Sequence, residues 1–181
     1  MSQPLVDLLQ ALEIERCIVW HHRRSGLLAV VVIDDVSLGP AAGGIRTWAY
    51  ADTMAALRDA AALARAMTLK CALAGLRAGG CKIVVLDRPE LNRPAAFDRL
   101  GTLVEELGGL VRTAGDPGTT EADLRCAARR TRFVHLGEDR LAASVARGLV
   151  RCVEACLEQR TGEHPSNLDG LRVAVQGCGG I

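Results

Sequence analysis

The sequence predicts an α/β domain with a mixed central sheet flanked by helices. Three observations predict it. Helical and strand-like segments alternate along the chain. The valine-rich run over residues 27–33 has the continuous apolar character of a central strand. The polar stretch His21-His22-Arg23-Arg24-Ser25-Gly26 joins that run to a second apolar run, 17–20, as a hairpin that makes one side of the sheet antiparallel. With 181 residues, 49% of them hydrophobic and 24% charged, the chain can bury a sizeable core, and its length suggests one domain and part of another.

The elements follow in order. Leu5, Leu8, Leu9 and Leu12 give a short amphipathic helix over 4–14. After the hairpin, Asp52 and Thr53 are cap-type residues opening a helix through residue 69. Its alanines, with Leu57, Leu63 and Met67, form an apolar face, while Arg58 and Arg65 lie one heptad apart on another. Gly79 and Gly80 lead into a β-branched run, 81–86, that reads as a strand. Pro94 and the Gly108-Gly109 pair bracket a helix over 94–107. A short strand over 110–113 enters the turn-rich segment 114–120, and Thr119 or Thr120 caps a helix over 121–130. Residues 132–136 read as another short strand and 141–159 as a long helix. The stretch 161–170, with Gly162, Pro165, Ser166 and Asn167, is a linker by composition. Residues 171–181 then read as a strand opening into a glycine turn, in which Gly177 and Gly179 fill the first two positions of G-x-G-x-x-G.

Composition removes several classes of function. The 22 basic and 21 acidic residues leave a net charge of +1, so there is no basic field for nucleic acid. The apolar run over 27–33 falls far short of the ~20 residues that span a bilayer, so no membrane partner is expected. The first residues carry Asp7 and Glu13 without a cationic lead-in, unlike a signal peptide, and the expected location is cytoplasmic. Seven cysteines, odd in number and without a Cys-x-x-Cys pair, read as reduced, mostly buried small hydrophobes, and no metal site is expected.

Three residues stand out chemically. Lys70 closes a helix, where a cation complements the macrodipole; alternatively it captures a carboxylate. Lys82 lies between Cys81 and the apolar Ile83, Val84 and Val85, in a strand that reads as buried. An ammonium there is costly without a role or partner. Desolvation and a second cation nearby would lower its pKa and make it a base usable near neutral pH. Asp116, before Pro117-Gly118, is either a turn aspartate or a carboxylate paired with one of these lysines.

The chain then resembles a known family. Leu38-Gly39-Pro40-Ala41-Ala42-Gly43-Gly44-Ile45-Arg46, Ala66-Met67-Thr68-Leu69-Lys70, Ala74-Gly75-Leu76 with Gly79-Gly80-Cys81-Lys82, and Thr113-Ala114-Gly115-Asp116-Pro117-Gly118-Thr119-Thr120 have the order and spacing of the glutamate/leucine/phenylalanine/valine dehydrogenases. The similarity is strongest to the leucine, valine and phenylalanine branch. It implies a substrate-binding and oligomerisation domain over 1–160, the linker, and over 171–181 the first strand and glycine turn of an incomplete Rossmann domain for NAD or NADP, NAD preferred. It implies reversible oxidative deamination of an L-amino acid to a 2-oxo acid and ammonia by a homo-oligomer. On the matching positions, Lys70 would pair with the substrate α-carboxylate, Lys82 would be the catalytic lysine, and Asp116 would carry the amino-group proton. Gly43 and Gly44 would let backbone approach the substrate, and Gly177 and Gly179 would contact the cofactor. Glutamate enzymes of the family carry a lysine where this chain has Ala42, so an apolar substrate is expected.

The chain also departs from the family pattern. Cys81 replaces a smaller residue beside the lysine, Arg88 precedes Pro89 where a small polar or acidic residue is usual, and Gly115 and Pro117 flank Asp116. Val145 falls where the family has a hydroxyl near the nicotinamide. With no helix after the glycine turn, the chain as given is expected to lack dehydrogenase activity alone. The alternatives are a non-catalytic, truncated family member acting as an oligomerising module, or an amino-acid-binding module with a regulatory role.

Overall fold

A computed structural model describes residues 4–137 and 141–177. The chain divides into two units, Met1–Leu136 and Gly137–Ile181. In the first, α1 (Pro4–Ala11) precedes the hairpin of β1 (Arg16–His22) and β2 (Leu27–Asp35). There follow β3 (Ala41–Trp48), α2 (Thr53–Leu73), β4 (Gly79–Leu86), α3 (Arg93–Glu106), β5 (Val111–Gly115) and α4 (Glu121–Ala128). The second unit contains α5 (Leu141–Thr161).

The five strands form one mixed sheet in the order β1-β2-β4-β3-β5. The β1–β2 and β2–β4 pairs are antiparallel, whereas β3 runs parallel to both β4 and β5. The two crossovers run in opposite directions across the sheet, β3 to β4 through α2 and β4 back to β5 through α3. With right-handed connections such a reversal places the two helices on opposite faces. The core is therefore split by the sheet, and strand residues alternate between its halves. Ala29, Val31, Ile33, Cys81, Ile83 and Val85 pack with Phe97, Leu100 and Val104 of α3 on one face. Val30, Val32, Val84 and Leu86 pack with Ala56, Leu57, Ala60 and Ala64 of α2 on the other. The alanine face of α2 lets the helix lie close to the sheet, and all eight residues of β4 are buried between the layers.

The expected α/β architecture is observed. Asp52 caps α2, its side chain accepting from Ala55 N at 2.7 Å, Asn92 caps α3, and Thr120 rather than Thr119 caps α4. Three expectations differ. Residues 41–48, read for their motif and not as an element, form β3. Residues 132–136 form no strand: they touch the sheet through the single bridge between Thr113 and Val134. Residues 171–177 form no ladder among the described residues. Val173 and Val175 are 66% and 76% exposed, and the alternating pattern that reads as a strand has no neighbouring strand to pair with. Gly179 and Cys178 lie outside the described residues. The six described cysteines are free, but only Cys71 and Cys81 are fully buried, and Cys152 and Cys156 are exposed on α5.

Candidate functional site

Where β3 meets β4, the register runs Ala41 to Gly79 and Ala42 to Gly80, then resumes at Ile45 with Ile83. Gly43 and Gly44 occupy the interruption. A Cβ on Gly43 would lie 1.8 Å from the Cys81 carbonyl oxygen, so β3 approaches β4 there as only a glycine backbone can. A Cβ on Gly44 would lie 2.9 Å from the Asp116 Cβ and 3.3 Å from Lys82 Nζ. The bare backbone of Gly44 thus leaves a gap in β3 that Lys82, from β4 on one side, and Asp116, at the end of β5 on the other, close together. Lys82 Nζ forms an ion pair with Asp116 Oδ2 at 2.9 Å.

Lys82 is only 3% exposed. By strand alternation it shares the α2 side of β4 with Val84 and Leu86, and burial among them lowers its pKa from the usual 10.5, against the opposing pull of Asp116. The second cation that the sequence led one to expect is Arg46 of β3, not Lys70. Arg46 Nε donates to the same Asp116 Oδ2 at 2.7 Å and Nη1 to Asp59 Oδ2 at 3.0 Å, and Tyr50 donates its hydroxyl to Asp59. Burial disfavours the Arg46 charge, but the two carboxylates outweigh it and hold the guanidinium more firmly protonated than usual. Burial and the Asp59 carboxylate together raise the Tyr50 hydroxyl pKa well above its normal range.

The loop carrying Asp116 is anchored to β3. Thr47 N donates to the Pro117 carbonyl at 3.2 Å, Thr119 Oγ1 donates to the Ile45 carbonyl at 2.6 Å, and the hydroxyls of Thr47 and Thr119 are 2.8 Å apart. Gly118, at φ +80°, has no room for a Cβ beside the Thr47 carbonyl. Gly115 and Pro117 thus flank Asp116 in a loop held to β3 through the Pro117 carbonyl and Thr119. Cys81 does not crowd the lysine. It belongs to the α3 side of the sheet, where burial pushes its thiol pKa up to about 12 and keeps it un-ionised.

Beside Gly43 lies a cavity of about 1040 Å³, walled by Ala42, Met67, Ala114, Phe133 and Leu136, with Arg112 and Arg132 on its lining. Lys70 lies on α2, one turn beyond Met67, exposed and without an ion pair among the described residues. The structure therefore brings Gly43, Gly44, Lys82 and Asp116 together, and among the described residues no hydrogen bond or ion pair joins Lys70 to them. Gly177 has the positive φ, +90°, that the first glycine of a phosphate turn requires. Among the described residues no three His, Cys, Asp or Glu side chains are grouped to hold a metal, and no helix is long and apolar enough to cross a membrane.

Sequence reasoning missed Arg46, Asp59 and Tyr50, and the arginines of the cavity. One signal was available. The chain has twenty arginines and only two lysines, Lys70 and Lys82. Arginine cannot give up its proton in a protein and lysine can.

An open mixed sheet with α2 on one side and α3 and α4 on the other, and a buried lysine–carboxylate pair meeting across a glycine gap, defines an α/β domain with an ion-paired lysine in its sheet and a cavity beside Gly43. The chain belongs to the Glu/Leu/Phe/Val dehydrogenase family: residues 15–133 match the model of its dimerisation domain. It is 35% identical to a leucine dehydrogenase of Bacillus cereus over 188 aligned positions, covering all of this chain and 51% of the relative. Over 164 positions it is 35% identical to a phenylalanine dehydrogenase of Lysinibacillus sphaericus, covering 87% of this chain and 42% of the relative. The chain thus spans about half the length of the curated relatives it matches. The crystal structure of an L-tryptophan dehydrogenase from Nostoc punctiforme superposes with a TM-score of 0.80 at 32% identity, covering 97% of this chain and 50% of that one. A glutamate dehydrogenase from Thermus thermophilus, at 22% identity and a TM-score of 0.65 over 97% of this chain and 51% of its own, shares the fold.

Proposed function

We propose that this chain supplies the amino-acid-binding half of an NAD(P)-dependent dehydrogenase, NAD preferred, which oxidatively deaminates an apolar L-amino acid of the leucine, valine or phenylalanine type. The observation that carries the reading is the buried Lys82, paired with Asp116 in a chain that otherwise uses arginine almost throughout. A group that must shed and regain a proton cannot be an arginine.

Lys70 holds the substrate α-carboxylate, and the glycine backbone at 43 and 44 lets the substrate reach the sheet. Asp116 takes the proton of the substrate amino group. Neutral Lys82 takes a proton from the water that adds to the imino carbon and returns it as ammonia leaves. The nicotinamide supplies the hydride acceptor. Ala42, Ala114, Met67 and Phe133 offer the side chain an apolar wall. The name of the matched domain, a dimerisation domain, supports a homo-oligomer, and a cytoplasmic location is part of the same reading.

Calorimetric titration of the chain with L-leucine, L-valine, L-phenylalanine and their 2-oxo acids tests the binding. The expected result is binding weakened about tenfold or more by Lys70→Ala. L-Glutamate bound more tightly than L-leucine, with its affinity lost in Arg112→Ala and Arg132→Ala, would overturn the apolar assignment. As the amino-acid-binding half, the chain by itself is expected to bind without turnover. Amino-acid-dependent formation of NADH or NADPH by it, abolished by Lys82→Arg, would overturn that expectation. Binding of none of these ligands would overturn the assignment of an amino-acid-binding half.

A further inference from the structure

We propose that Arg46 and Asp59 are positioning residues of this site. Arg46 spans from Asp59 on α2 to Asp116 and fixes which carboxylate oxygen Lys82 uses, leaving Asp116 Oδ1 for the proton of a bound ligand.

The geometry carries the assignment. Two cationic donors, Lys82 Nζ at 2.9 Å and Arg46 Nε at 2.7 Å, converge on one oxygen, Asp116 Oδ2. Oδ1 receives no hydrogen bond among the described residues. Arg46 does not grip Asp116 with its parallel N–H pair, the usual bidentate arrangement. It spends Nε on Asp116 and Nη1 on Asp59, 3.0 Å away, and so ties α2 to the loop after β5. Tyr50 donates to the same Asp59 oxygen and holds that carboxylate in place. The guanidinium plane and the side of α2 that carries Asp59 therefore set where Asp116 stands. Asp116 in turn is, among the described residues, the one carboxylate paired with Lys82.

The same arrangement gives the two residues opposite electrostatic effects on Lys82. Arg46 is a like charge that opposes protonation, and Asp59 is a more distant opposite charge that favours it. The charged groups around Lys82 are Asp116 beyond β5, Arg46 from β3 and Asp59 from α2. Tyr50 acts on Asp59. From β2, Val32 is the residue paired with Lys82, and Asp34, two residues on, accepts a hydrogen bond from Thr68 of α2.

The inference builds on the site proposed above, but its test reads a protonation state and needs no turnover, so the two stand or fall separately. Because the chain has two lysines, protein labelled with ε-13C lysine gives two signals, and Lys70→Arg assigns them. The signal of Lys82 is followed against pH in the full chain, in Arg46→Gln and in Asp59→Asn, both close in shape to the native residues. The expected result is a midpoint moved up in Arg46→Gln and down in Asp59→Asn. Each shift should change the ratio of protonated to neutral lysine at fixed pH about twofold or more. Arg65→Met, on the exposed side of the same helix, leaves the midpoint where it was, and Asp59→Glu restores it. Arg46→Met serves as the second neutral variant should Arg46→Gln not fold. Shifts of the same sign in the two variants, or no shift in either, overturn the proposal, because a purely structural contact has no reason to move one titration in two directions.

Discussion

Gly44 and Gly43 are the residues at which a single methyl group has the most specific consequences. At Gly44 the added Cβ meets the Asp116 Cβ at 2.9 Å and Lys82 Nζ at 3.3 Å, so Gly44→Ala pushes apart the two groups that close the gap. The expected cost in stability is about 1–3 kcal/mol, because one of the displaced atoms ends a flexible side chain. Ligand affinity, measured by calorimetry, should fall further than stability does. At Gly43 the clash is with backbone, the Cys81 carbonyl at 1.8 Å, and β3 must separate from β4. Gly43→Ala should therefore unfold at a clearly lower urea midpoint than Gly44→Ala, by the equivalent of more than about 3 kcal/mol relative to the native chain. Lys82 adds a pH dependence whose sign follows from its lowered pKa. Below the folded pKa, lysine is charged in both states and its burial cost is present in full. Between the folded pKa and the ordinary 10.5, the unfolded chain binds the extra proton, so stability rises with pH. Lys82→Met removes that gain. The difference in urea stability between Lys82→Met and the native chain should therefore shrink from about pH 7 to about pH 10, and a difference that widened would show that Lys82 is more firmly protonated in the fold.

Among the elements, α3 and α4 depend on one buried carboxylate. Asp123 accepts from Thr120 N at 2.8 Å in the capping box that starts α4, and the same side chain is paired with Arg93 at the start of α3. Arg93 also donates to the Gly118 carbonyl at 2.7 Å, so this pair fixes the far end of the loop that carries Asp116. Burial would raise the Asp123 pKa, but Arg93 and Thr120 outweigh it and hold it below the usual value. Its contribution is present above the unfolded value of 3.8 and is lost as pH falls through the lower folded value. Asp123→Asn should cost about 2 kcal/mol at neutral pH and less in acid, as read from denaturation midpoints across the acid range. Thr120 was one of the two caps the sequence offered for α4, and the hairpin and the helices α2 and α3 were readable too, because each rests on local chemistry; the Arg93–Asp123 pair was not. β3 was not. Its Ala-Ala-Gly-Gly start has neither strand propensity nor a period-two pattern, and its identity as a strand comes from β4 and β5 on either side, which supply both of its ladders. The site was legible in the same uneven way. Lys82 and Asp116 stand in recognisable motifs, whereas Asp59 lies on a helix turn with no signal of its own and enters the site only through the packing of α2 on the sheet.

At the scale of the whole chain, burial is unevenly distributed between the two units. Every residue of the two hydrophobic clusters falls between positions 8 and 134, and the Lys82–Asp116–Arg46–Asp59 network falls inside the same span. None of the described side chains of α5 is fully buried, Leu149 is 63% exposed, and the valines of 171–177 are more exposed still. Since apolar burial is the main favourable term in folding, the free energy that holds the sheet together is supplied by residues 1–136. A chain ending at residue 136 should therefore unfold cooperatively at a denaturant midpoint close to that of the 181-residue chain. It should also keep the Lys82 signal at its native position in ε-13C lysine spectra, because Asp116, Arg46 and Asp59 are all retained. The slope of the transition should fall only slightly, since the surface removed is already exposed in the fold. A loss of cooperativity in the shortened chain, or a Lys82 signal moved to the position of an exposed lysine, would show instead that residues 137–181 support the sheet and its site through contacts that the burial pattern does not contain.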